Sequence, residues 1–126
     1  MDDRKAILSV NLFDNTELGL QAAIRGADMR QTVLAQNLAN ANTPGYVRKD
    51  VDFQSTLAAA LQQGETPDQV QFDVTTDASA PMQADGNSVD ADTESAKMAE
   101  NGLQYQSLVA IAKGRLDIIT SAIGNS

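Results

Sequence analysis

Apolar residues in the first third of the chain return every three or four positions. Leu20, Ile24, Ala27, Leu34, Leu38 and Ala41 fall on one helical face, with Gln31 as a single polar interruption. This alternation is an a/d repeat and predicts an amphipathic helix over residues 14–41, with Met29 and Val33 to the side of the seam. Asp14 is placed as its N-cap, and Glu17 three residues on completes a capping box. Phe13 and Leu18 stand where a hydrophobic staple would form. The helix meets a hard stop at Asn42-Thr43-Pro44-Gly45, because Pro44 has no amide hydrogen and pushes Thr43 out of helical geometry. Pro-Gly at the two central positions predicts a type II turn, with Gly45 at positive φ.

The last quarter repeats the pattern. A second long helix is expected from about Asp90 to Ile123, with Gly124 suited to the position just beyond its end. Its seam reads Ala91, Ser95, Met98, Gly102, Tyr105, Val109, Ala112, Leu116, Ile119 and Ile123. Leu103, Leu108, Ile111 and Ile118 lie off that seam, so the helix is apolar on two sides and one partner helix cannot cover it. The chain offers only two long helices, so neighbouring molecules are the natural source of the missing cover.

Between the helices the pattern is weaker. A short Ala-rich helix is expected over about 54–63, ended by Gly64. Val70, Phe72 and Val74 alternate with Gln71 and Asp73, which predicts a short strand, one arm of a hairpin. Three segments result: an N-terminal helical assembly segment (1–42), a middle of turn, short helix and acidic loop or hairpin (43–89), and a C-terminal helical assembly segment (90–126).

Composition narrows the chemistry. The chain has neither Cys nor His, which removes thiol nucleophiles, disulfides, the usual zinc sites and the side chain best suited to proton transfer at neutral pH. Asp85-Gly86-Asn87 lacks the ligand pattern of a calcium loop. No enzyme activity, cofactor, metal or small-molecule substrate is expected. The net charge of −8 sits in the middle, where residues 51–94 hold nine acidic and no basic side chains. Nucleic-acid binding would need a basic face, so it is not expected either. No apolar run approaches the roughly 20 residues of a membrane span, and Ala6 to Val10 is too short for a secretory signal core.

The run Leu34-Ala35-Gln36-Asn37-Leu38-Ala39-Asn40-Ala41-Asn42-Thr43-Pro44-Gly45-Tyr46 resembles the N-terminal signature of flagellar basal-body rod and hook proteins, N-x-A-N-x-x-T-P-G-Y. Arg48 to Phe53, Gly86 to Asp90, Lys97 to Asn101 and Tyr105-Gln106 are similar to the FlgB type of rod protein. The resemblance implies a mainly α fold in which the long N- and C-terminal helices pair as an antiparallel coiled coil around a small irregular or β-hairpin middle. It implies a structural subunit of the proximal rod, exported by the flagellar type III system without a cleaved signal and stacked helically to transmit torque across the periplasm. The implied partners are copies of itself, FlgC-type and related rod subunits, the rod adaptor FliE and the export gate. Asn37, Asn40, Thr43, Pro44, Gly45 and Tyr46 become the assembly motif. The Asn side chains are expected to bridge backbone groups at the helix end, and Tyr46 to offer a flat face at a subunit contact. The competing reading of the same pattern is a cytoplasmic coiled-coil adaptor or secretion chaperone, which would close into a dimer or small bundle.

Overall fold

The heptad residues of the first segment form helix α1 (Asn15–Ala39) in the computed structural model, which describes residues 15–124. The expected N-cap Asp14 and staple residue Phe13 lie outside the described residues. The chain continues through β1 (Lys49–Asp50), α2 (Phe53–Gln62), a 3-10 turn (Pro67–Gln69) and β2 (Thr75–Thr76) to α3 (Ala91–Gly124). The fold is mainly α, with the two long helices packed on each other and a small two-stranded sheet between them.

Three side-chain contacts fix the direction of that helix pair. Asn37 bonds Glu94, Gln31 bonds Asn101 and Glu17 bonds Arg115, so position falls along α1 as it rises along α3. The helices are antiparallel. Asp90 caps α3 by accepting from the Thr93 amide, close to the expected start. At the other end α3 includes Gly124, one residue further than its pattern indicated.

α1 is buried on more than one side, because it also packs against α2, the 3-10 turn and β1. Ala27 and Leu34, two of the seam residues, are fully buried, whereas Leu20, Ile24, Leu38 and Ala41 are half-buried. Val33 joins Ala27, Val51 and Phe53 in a small core, with Ala23, Met29, Phe72 and Leu108 against it. The Phe53 and Phe72 rings meet edge to face at 6.3 Å. Few large aromatics therefore still make a core, because they are gathered at one point. Gly26 makes this possible: a Cβ there would stand 2.4 Å from the Phe53 Cβ.

The middle departs from expectation in its strand. Residues 70–74 pair with nothing as a strand, and the sheet forms instead at Thr75–Thr76, antiparallel to Lys49–Asp50. The partner lies across α2 and the 3-10 turn, so this is not a local hairpin. Val70 turns inward beside the 3-10 turn, while Val74 is exposed. α2 fits its pattern closely, with Asp52 capping its start and Gly64 at φ 79° just past its end.

The face that α3 turns inward also differs from its apolar seam. Glu94, Asn101, Leu108 and Arg115, seven residues apart, point at α1, together with Met98, Ala112 and Ile119. Of the expected seam, Met98, Gly102 and Ala112 are half-buried and Ile119 is buried. Ala91, Ser95, Tyr105, Val109, Leu116 and Ile123 are exposed instead, so Ser95, Val109 and Leu116, in one half of the seam, are turned from α1.

Candidate assembly site

The signature run ends α1 in a tightening spiral. The Asn40 amide reaches both the Gln36 and Asn37 carbonyls, and Ala41 bonds Leu38. The regular helix thus ends at Ala39, two residues before its apolar pattern does. The Tyr46 amide then donates to the Thr43 carbonyl at 3.2 Å around Pro44-Gly45, and Gly45 has φ 75°. These are the features of a type II turn.

Asn37 is buried at the centre of the site. Its Nδ2 donates to the Lys49 carbonyl and its Oδ1 accepts from the Lys49 amide, at 2.7 and 3.0 Å. The side-chain amide therefore acts as one peptide unit of a neighbouring strand, on the edge of β1 away from β2. Nδ2 also donates to Glu94 Oε1 at 2.7 Å, and the Tyr46 hydroxyl lies 3.4 Å from Oδ1. Asn40 acts locally, donating to the Gln36 carbonyl and accepting from the Thr43 hydroxyl. Thr43, Pro44 and Gly45 are exposed, and Tyr46 is half-buried.

Two residues outside the signature complete the site. Arg48 is 4% exposed, and every nitrogen of its guanidinium donates to a carboxylate. It grips both oxygens of Glu94, itself 1% exposed, and reaches Asp77 at 2.6 Å and Asp50 at 3.1 Å. Arg30 of α1 holds the other oxygen of Asp50 at 2.8 Å. Buried charges survive only when paired in this way. Asp77 and Glu94 belong to the acidic middle, so part of its negative charge is neutralised inside the fold. Arg48 opens the FlgB-like run to Phe53, but nothing in that run indicates its burial, and Glu94 is one acid among several in a first turn.

Asn87 is the second addition. Its Nδ2 donates to the Asn40 and Thr43 carbonyls at 2.9 and 2.7 Å, adding a second donor to acceptors that already receive the Thr43 and Tyr46 amides. The chain before α3 thus caps α1. Gly45 also donates to the Asp85 carbonyl, and a Cβ on Gly86 would lie 3.4 Å from the Gly45 Cα. Both glycines have positive φ, 75° and 81°, so a side chain on either would be opposed by backbone conformation and not by crowding.

The charges set an acid limit on the fold. The Ser79 hydroxyl and the Arg48 guanidinium lower the Asp77 carboxyl to about 2. Burial would raise Asp50, but Arg30, the Val51 amide and Arg48 together hold it below its usual value. Burial likewise opposes charge on Arg48, and its three carboxylate partners more than offset this and keep it protonated. A carboxyl depressed in the folded state stabilises fully above its unfolded value of about 4 and loses that contribution as it protonates. Thermal melting followed by circular dichroism should therefore fall steadily from about pH 4 to pH 2. Asp77→Asn, which removes one of the titrating groups, should flatten that fall.

Comparison with known proteins meets this geometry at the same residues. A family model described as "Flagella basal body rod protein" matches residues 20–46, most of α1 and the turn that ends it. The flagellar basal body rod protein FlgB of Escherichia coli (strain K12) is 37% identical, over 80% of this chain and 90% of its own length. The chain belongs to the FlgB family of flagellar basal body rod proteins. FlgB of Bacillus subtilis (strain 168) is 29% identical over 90% of this chain and 97% of its own length, and that of Aeromonas hydrophila 31% identical over 82% and 88%. A rod protein is a structural component and not an enzyme. Among the described residues no cluster of acidic side chains is disposed to hold a metal ion, and no helix is long and apolar enough to cross a membrane.

Proposed function

We propose that this rod protein is a proximal subunit that reaches its place through the flagellar type III export gate without a cleaved signal. There it stacks helically with copies of itself, with FlgC-type and related rod subunits and with the adaptor FliE, and transmits torque across the periplasm. The observation that carries this reading is that α3 stays apolar on two exposed sides, Leu103, Ile111 and Ile118 on one and a second face with Val109 and Leu116, all between 39% and 71% exposed. Apolar surface on this scale, on a helix already packed against its own partner, calls for cover by other molecules. Open stacking requires unlike, complementary patches on each subunit, so the face meets a different surface of its neighbour.

The signature divides its work in this scheme. Asn37 faces inward and holds the helix end to β1 and α3. Thr43, Pro44 and Gly45 face outward, with Tyr46 at their border, and offer a rigid turn to an adjoining subunit. Gly45→Val should impair assembly more than export, because a β-branched residue opposes positive φ and would displace the turn from Asp85. Secretion of the variant into the medium with loss of motility is the expected pair of results. Normal motility would remove this role for the turn.

Leu116→Asp tests the face directly. The variant should keep the melting temperature of the parent, since Leu116 points away from α1, yet fail to restore swimming to a strain lacking the gene. Leu38→Asp and Ile119→Asp should also block rod formation, through a charge placed in a seam that α1 and α3 share. A discrete, stable oligomer of the purified chain at low micromolar concentration, with swimming intact in Leu116→Asp, would favour an adaptor or chaperone instead.

A further inference from the structure

α3 could have turned either of two faces towards α1, and it buries the more polar one. Its inward positions at seven-residue spacing are Glu94, Asn101, Leu108 and Arg115. One position round the helix lie Val109 and Leu116, which apolar burial alone would draw inward, yet they are 39% and 53% exposed. The choice is made at some expense: Asn101 is fully buried, and its Oδ1 has no hydrogen-bond partner.

We propose that the polar contacts between α1 and α3 select the face, holding α3 rotated so that its apolar stripe stays outside. Asn101 Nδ2 donates at 2.8 Å to both the Ala27 carbonyl and Gln31 Oε1, which accounts for the polar break in the seam of α1. Arg115 Nε donates to Glu17 Oε1 at 2.8 Å two turns from the far end. Glu94 is held by Arg48 and Asn37 at the near end. A helix rotated to bury Val109 and Leu116 would carry Asn101 and Arg115 away from these partners and leave Gln31 and Glu17 unpaired against apolar neighbours. Polar groups in a helix seam specify arrangement at the expense of stability, and here the arrangement specified is rotational. The device rests on the assembly reading for its purpose: it prevents the subunit from consuming its own docking face before a neighbour arrives.

The absence of cysteine allows a direct test on the isolated full-length chain. Single cysteines at Leu116 or Ile119 report which face is open, through their rate of reaction with a soluble maleimide. In the parent background Leu116→Cys should label at least tenfold faster than Ile119→Cys. Removing the contacts with Gln31→Ala, Asn101→Ala, Glu17→Ala and Arg115→Ala should bring the two rates together or reverse their order. The milder pair Gln31→Ala and Asn101→Ala, which leaves the ion pair to support folding, should move the ratio in the same direction. Exchanging the charges with Glu17→Arg and Arg115→Glu should preserve the parental ratio. An unchanged ratio in the milder pair, with helical circular dichroism intact, would overturn face selection. Because labelling is read on the isolated chain, that result would stand apart from the motility of Leu116→Asp, which tests docking itself.

Discussion

Replacing Arg48 with methionine should cost about 3–5 kcal/mol of folding stability, the range observed when one partner of a buried ion pair is removed. Methionine keeps much of the apolar stem but leaves Glu94 fully buried with, among the described residues, only the Asn37 amide donating to its carboxylate. Asp77 and Asp50 lose a donor as well, and the strand pair loses the side chain that ties it to the start of α3. Urea denaturation of the full chain is the measurement, with the midpoint expected to fall and the slope to hold. The double variant Arg48→Met with Glu94→Met should recover part of the loss, because an apolar pair can replace a buried ion pair without a stranded charge. If Arg48→Met alone changed the folding stability by less than about 1 kcal/mol, a scale typical of exposed ion pairs, the network would not hold the site together.

The second large effect is a reversal of sign between glycines. Alanine is favoured over glycine inside a helix by about 1 kcal/mol, so Gly102→Ala in α3, with no atom near the new methyl group, should stabilise the isolated chain. Gly26→Ala in α1 should instead destabilise it by about 1–3 kcal/mol, since overpacking of a core outweighs propensity. The new Cβ would stand 2.4 Å from the Phe53 Cβ, too close to the backbone for a rotamer change to relieve. Phe53 would have to withdraw, opening its contact with Phe72 and with Val33 and Ala27. Thermal melts of the two variants under one set of conditions suffice. Equal and positive shifts would mean that α2 does not rest on α1 at this point.

Motility adds a contrast at Gly102. It lies beside an open groove between α1 and α3, lined by Asp28, Gln31, Tyr105 and Gln106, and a Cβ added there would meet nothing within 4 Å. A variant that gains stability as a monomer and loses swimming would place a neighbour against that surface.

Much of the fold could be read along the chain because its signals are local. The Pro44-Gly45 turn, the short α2 ended by Gly64 and the start of α3 at Asp90 each depend on a few adjacent residues with narrow backbone preferences. The strand forms elsewhere because Val70, Phe72 and Val74 alternate like a strand but Phe72 is drawn to the Phe53 core, and Lys49–Asp50 pair with Thr75–Thr76 immediately after Val74. The site was half legible. Asn37 stands out through its motif, whereas Glu94 reaches it from 57 residues away, and Asn87 reaches Asn40 and Thr43 from 47 and 44, with no local pattern to show either pairing.

The amino-acid order by itself determined two long helices, the turn that ends the first and an apolar surplus on the second, because periodicity and proline–glycine chemistry act over a few residues. It also carried the family signature. Only the tertiary structure decided which face of α3 turns inward, that Arg48 is a buried hub and that Asn87 closes the end of α1. Those outcomes depend on pairing polar groups across large separations in the chain. Burying such a group is favourable only when a partner is already in place, so the partner's position, and not the group's own pattern, settles where it lies.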